Sequence, residues 1–229
     1  MIDLHTHILP CMDDGAPNVQ TALAMLEAER KQGVDTVALT PHYYPSRESV
    51  TQFLTRRDEA YASLCEQLDA ETSPKLLLGA EVAWAPGMEE WPELQQLCYE
   101  GTNILLVELP FAPWTDALFH QLYAMESKRG VLPMIAHIER YFFCQEKSKI
   151  AALMQLELPM QVSAAELGSL FGRRRAMRLI EAGGILISDC HSLTHRPPNI
   201  GKGMEILRKR RGEEFAQAVG EIADNALYD

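Results

Sequence analysis

The chain has 229 residues and a formal net charge of -11, with 47% hydrophobic and 23% charged residues. That composition is ordinary for a globular protein large enough to bury a core without staples, and it argues against a protein held mainly by nucleic-acid phosphates. Five scattered cysteines with no CxxC pair argue against a disulfide framework or a cysteine zinc site. The opening MIDLHTHILP lacks the basic and apolar regions of a signal peptide, and no apolar run approaches the ~20 residues of a membrane span. The expectation is a cytoplasmic protein that is not embedded in a membrane.

In chain order, one sentence repeats: a short apolar run, a polar residue that closes it, then an amphipathic stretch. The apolar runs are 2–4, 36–40, 76–79, 104–107, 132–136, 160–162 and 185–188. Most are rich in Val, Ile or Leu, as parallel strands buried on both faces are. The spacing predicts helices over 19–32, 49–68, 117–129 and 173–182, with Gly33, Gly130 and Gly183 as stops. Two further helical stretches, 203–211 and 213–223, finish the chain. About seven strand–helix units imply a parallel α/β barrel or an open doubly wound sheet. No linker or repeat interrupts the pattern, so a single domain over 1–229 is expected.

The residues that close the strands carry the chemistry. His5 and His7 follow the first strand, His42 the second, Glu81 the third, Glu108 the fourth, His137 the fifth, and Asp189 and His191 the seventh. Asp14 lies in the loop after the first. Only the sixth strand adds no ionisable residue at once. Parallel strands place all their C-termini on one face, so these residues converge. Any one of them reads best as a loop residue. The set would bury several like charges together, and divalent cations remove that cost. Imidazole with carboxylate suits Mn, Fe or Zn. Nine candidates are too many for one ion; two or three ions fit, and such sites activate water for displacement at phosphorus. His120, inside a predicted helix, reads as a surface residue.

HTHILPCMDDG, TPHYY, GAEV, VELPF, IAHIERY and SDCHSLTHRPP, in this order, resemble the PHP (polymerase and histidinol phosphatase) superfamily. Within it they are similar to the metal-dependent bacterial protein-tyrosine phosphatases of capsule and exopolysaccharide clusters. The resemblance spans residues 1 to about 200. It implies a distorted (β/α)7 barrel with a trinuclear site activated by manganese. It implies hydrolysis of phosphotyrosine on the C-terminal tail of a bacterial tyrosine kinase. Carried over by position, one ion takes His5, His7, Glu81 and Asp189. A second takes Glu81, Glu108 and His137, and a third takes Asp14, His42 and His191. Arg140 and Arg196 match arginines placed near the phosphate, a role that suits the planar guanidinium fork.

Other readings stand beside it. Cys190 to Arg196 matches the C-x5-R pattern of cysteine phosphatases, but that loop has no glycine and two prolines follow it. Histidinol phosphate or another small phosphomonoester is the rival substrate within the superfamily. A regulatory binding module is the rival outside enzymology, although every ligand position is filled. Trp84, Trp91, Trp114, Tyr43, Tyr44 and Phe111 could line an aryl pocket or pack in the core. The Arg173-Arg174-Arg175 run reads as a surface feature able to meet an acidic peptide.

Overall fold

The computed structural model describes residues 1–69 and 71–228. Among the described residues, nine short strands alternate with eight α-helices. They are β1 (Ile2–Thr6), α1 (Val19–Lys31), β2 (Thr36–Leu39), β3 (His42–Tyr43), α2 (Val50–Cys65), β4 (Lys75–Leu78) and β5 (Glu81–Ala83). Then follow β6 (Ile104–Glu108), α3 (Asp116–Arg129), β7 (Leu132–Ile135), α4 (Lys147–Met154), β8 (Gln161–Ser163) and α5 (Ala164–Gly168). The chain ends with α6 (Arg173–Glu181), β9 (Ile185–Ile187), α7 (Ile200–Arg211) and α8 (Glu213–Tyr228). Every strand pair is parallel, in the orders β1-β2-β4, β3-β5-β6-β7 and β8-β9. This is a mixed α/β fold with parallel sheets.

The predicted second and third strands are each split in two. Pro41 has no N–H and breaks the second, yet its carbonyl still accepts from the Glu81 N–H at 3.0 Å. The third bends at Gly79-Ala80, where the Gly79 N–H reaches the Leu39 carbonyl at 3.0 Å. The bends let His42 and Glu81 open new strand segments, side by side in register. Bridges also link Thr6 to Cys190 and Ile135 to Met160. The β1–β2 register slips between Asp3 and Thr6, where the chain prepares to present His5 and His7. Bulges of this kind re-aim side chains.

Helix boundaries follow local chemistry. Ser49 and Gln52 form a reciprocal capping box at the start of α2. Asn18 caps α1 through the Thr21 N–H. Gly130 ends α3 in the left-handed conformation. Helices α4 and α5 were not expected, being too short to show a periodic stripe. Leu4, Ala38, Leu106, Met134 and Ile187 form an apolar layer among the strands, joined by Ala223 and Leu227 of α8. A larger layer between strands and helices includes Met25, Phe53, Leu122 and Leu207. The ionisable cluster sits beyond these layers, at the strand C-termini. Among the described residues, no helix is long and apolar enough to cross a membrane.

Candidate metal centre

The backbone aims the side chains. His137 and Asp189 adopt positive φ, 30° and 54°, each as the second residue beyond its strand, β7 and β9 respectively. Non-glycine residues rarely sit there, and such strain concentrates at functional sites. The loop after β1 folds back on His7: the Ala16 N–H donates to the His7 carbonyl at 3.0 Å. A Cβ on Gly15 would lie 1.9 Å from that carbonyl, so only glycine fits.

Glu81 is the centre of the cluster. Its Oε1 lies 2.9 Å from His137 Nε2. Its Oε2 lies 3.3 Å from both His5 Nε2 and His7 Nε2, and 2.8 Å from His42 Nδ1. Burial alone would raise this carboxyl, but the imidazoles, His5 foremost, hold it well below the ordinary range. Asp189 Oδ1 lies 3.6 Å from His5 Nε2, His7 Nε2 and His191 Nδ1. His191 Nε2 and His42 Nε2 approach Asp14 Oδ1 at 3.5 and 3.6 Å. Glu108 Oε1 lies 3.6 Å from His137 Nε2. All nine expected residues therefore meet at one mouth. Three overlapping groups have ligand atoms within 4.8 Å of one another: His7, Asp14, His42 and His191; His5, His7 and Glu81; His42, Glu81 and Glu108. His137 and Asp189 stand beside these groups rather than in them.

Hydrogen bonds decide which nitrogen faces inward. Gln161 Oε1 accepts from His5 Nδ1 at 2.8 Å, and Asp13 Oδ2 accepts from His7 Nδ1 at 2.7 Å. His191 Nδ1 donates to the Asp189 carbonyl at 3.1 Å. Each pairing leaves an Nε2 lone pair pointing into the cluster, as outer partners of metal-binding histidines do. Burial opposes the charging of His7, but with no cation in place Asp13 and Glu81 overcome it and raise this imidazole to about 10, so that its inner nitrogen would exchange a proton for a cation on binding. Burial pushes Glu108 up to about 7, with Glu81 adding to the rise.

The donor set fits a cation. His5 Nε2 and His7 Nε2 lie 3.1 Å apart, both fully buried, with their protons committed elsewhere. Glu81 Oε2 and His42 Nδ1 are buried 2.8 Å apart, yet neither has hydrogen-bond geometry to any partner. Buried polar atoms are seldom left so. Lone pairs converging from several directions are what a divalent ion shared by imidazole and carboxylate satisfies.

Arg140 and Arg196 both donate to Asp189 Oδ2, and Arg196 Nη1 also meets His191 Nε2 at 2.9 Å. Two guanidinium groups thus overhang one edge of the cluster. Beside the other edge lies a cleft of about 380 Å³, lined by Asp14, His42, Tyr44, Arg47 and Arg56 among others. Arg47 lies over the Tyr44 ring at 4.3 Å. Phe111 stacks near His137, with centroids 6.5 Å apart.

Several residues with a part here were not singled out from the sequence. Asp13, next to the expected Asp14, holds His7 and accepts from the His42 N–H at 2.9 Å. Gln161 was hidden in the one strand with no ionisable residue; an amide inside an apolar run was the available signal. Glu139, buried beside Arg140, accepts from the Ser163 N–H at 3.2 Å. Trp114 is buried and donates to the Pro110 carbonyl at 2.8 Å, while Trp84 and Trp91 pack against the core, so the tryptophans are packing residues. His120 is exposed, as expected. Burial pushes the Cys190 thiol far above its usual range, which disfavours a thiolate nucleophile.

Comparison with known proteins supports the same reading. Tyrosine-protein phosphatase YwqE of Bacillus subtilis is 29% identical over 99% of this chain and 91% of its own length. Tyrosine-protein phosphatase CpsB of Streptococcus pneumoniae is 26% identical over 95% of this chain and 93% of its own. A chain from the crystal structures of YwqE and S. pneumoniae CpsB, described as metal-dependent tyrosine phosphatases, superposes with a TM-score of 0.82 at 26% identity. That match covers 98% of this chain and 93% of the other. The family described as capsular polysaccharide synthesis, CpsB/CapC, matches residues 1–227, and the chain belongs to it.

Proposed function

We propose that this protein is a metal-dependent protein-tyrosine phosphatase, a phosphoric monoester hydrolase acting in polysaccharide export. The observation that carries the proposal is the convergence of nine imidazole and carboxylate side chains beneath two arginines. In this reading one domain spans 1–229. The split strands β2–β3 and β4–β5 each count once, and the bridges at Cys190 and Met160 support reading the three sheets as one seven-stranded barrel. His5, His7, Asp14, His42, Glu81, Glu108, His137, Asp189 and His191 hold two or three divalent ions, manganese above iron or zinc. The protein acts in the cytoplasm, where its five unpaired cysteines stay reduced.

Divalent ions at such a site supply Lewis acidity toward phosphoryl oxygen and lower the pKa of water. The chain's own groups do the rest. Gln161 and Asp13 keep His5 and His7 in the tautomer that turns Nε2 inward. Arg140 and Arg196 grip the phosphoryl oxygens as charge spreads over them. Phe111 and Tyr44 flank the entrance, where an aryl ring can lie. A tyrosine leaving group, with a pKa of ~10, needs less protonation than a serine alkoxide would. The substrate is accordingly a phosphotyrosine protein, with the tail of a bacterial tyrosine kinase as the natural example.

The test compares matched phosphotyrosine and phosphoserine peptides, with elemental analysis of the purified protein. Turnover of the phosphotyrosine peptide, lost on prolonged chelation and restored by Mn, is expected. Equal rates on both peptides would remove the tyrosine assignment in favour of a general phosphomonoesterase. Full activity in a metal-free preparation would overturn the whole reading.

A further inference from the structure

Far from being evenly acidic, the chain concentrates cationic side chains in two runs, Arg173-Arg174-Arg175 and Arg208-Lys209-Arg210-Arg211. The fold brings them together. Arg173, Arg174 and Arg178 of α6 and Arg210 and Arg211 of α7 line one surface cavity of about 460 Å³. The cavity's one carboxylate, Glu181, is paired with Arg211 at 2.6 Å. Among the described residues, Arg174, Arg178 and Arg210 make no ion pair. In a molecule of net charge -11, a patch of unneutralised arginines marks a place for an anionic partner.

The apolar neighbours say what kind of anion. Leu170, which lines the same cavity, is 86% exposed, and Phe171 beside it is 95% exposed. They are consecutive, stand just before the Gly172 cap of α6, and leave most of their apolar surface in solvent. A peptide bound in the cavity would cover little of a side chain so exposed. A lipid surface covers all of it: the apolar pair enters the interface while the arginine stems lie along it with their heads among the phosphates. We propose that the α6–α7 face, led by Leu170 and Phe171, docks on a membrane surface rich in anionic phospholipid.

Helix α6 also packs against the turn that carries Arg140. Arg175 lies 4.6 Å over the Phe142 ring, in that same turn. Docking here would hold the mouth close to the bilayer, beside substrates tethered there. Attachment of this kind is peripheral and reversible, set by charge and two apolar side chains.

The test is co-sedimentation of the full chain with neutral phosphatidylcholine vesicles, with and without phosphatidylserine. Binding is expected only with phosphatidylserine, and it should fall as salt screens the arginines. Arg174→Glu with Arg178→Glu should weaken it about tenfold or more, and Leu170→Ser with Phe171→Ser should weaken it several-fold. Both variants should keep the parent's turnover of a small aryl phosphate and its melting temperature, showing that the fold is intact. Equal binding to neutral vesicles, no binding to either, or full binding by the charge-reversed variant would overturn the proposal. So would full binding by the Leu170/Phe171 variant together with displacement by a soluble acidic peptide, which would assign the cavity to such peptides. Burial of the face in a dimer of this chain, seen as loss of dimer in the charge-reversed variant, would also overturn it.

Discussion

The two halves of the cluster are built differently. The deep half, His5, His7, Glu81 and Asp189, is almost wholly buried, and both its imidazoles have their outer nitrogens tied to Gln161 or Asp13. The outer half is looser: Asp14 has a side chain 69% exposed, and His42 and Glu108 are partly open. The deep half is therefore preorganised to receive an ion, while the outer half keeps room to exchange ligands with solvent or substrate. Preorganisation avoids the cost of arranging ligands at the moment of binding.

The sharpest way to break this comparison is at Glu81. Glu81→Gln should lower metal content and activity by more than the roughly 10–100-fold typical of an outer partner, because four imidazoles share that carboxylate. Elemental analysis with turnover of an aryl phosphate checks it. Arg140→Ala and Arg196→Ala come next, each expected to cut turnover of a phosphotyrosine peptide by roughly 10²-fold while metal content holds. Unchanged rates would return both arginines to a purely structural role with Asp189.

Asp13→Asn and Gln161→Leu probe the ties of the deep half. Metal affinity should fall roughly 10–100-fold in each, measured by titration of the metal-depleted protein. Asp14→Asn, in the outer half, should spare the most tightly held ion. Equal loss of all metal in these three variants would erase the distinction between the halves. Cys190→Ser should keep most of its turnover, because the thiol is buried and lies outside the proposed chemistry.

The smallest effect lies behind the cluster. Burial, with Asp3 beside it, pushes the Glu29 carboxyl up to about 10. The folded state holds the proton that the unfolded chain releases. Glu29 thus favours folding fully below its ordinary pKa of 4.5, and that contribution is lost as pH rises toward about 10. Glu29→Gln should flatten the alkaline fall in melting temperature, by about 2–4 °C for each kcal/mol recovered. A pH profile of melting identical to the parent's would show that Glu29 is not the group responsible.

By itself the sequence determined the alternation of strands and helices and which ionisable residues fall at the ends of the apolar runs. Both are local: periodicity marks a buried strand, and the residue after it must leave the apolar layer. That reasoning reached His5, His42, Glu81, Glu108, His137 and Asp189 without knowledge of any contact. Short α4 and α5 escaped it because they carry too few turns to show a stripe. Only the tertiary structure decided which nitrogen of each histidine turns inward. The partners responsible, Gln161 for His5 and Asp13 for His7, act through space and carry no signature of that role. Tertiary structure likewise decided that two arginine runs on helices separated by β9 share one face. Charge is written in sequence, but its neighbours depend on how the helices pack.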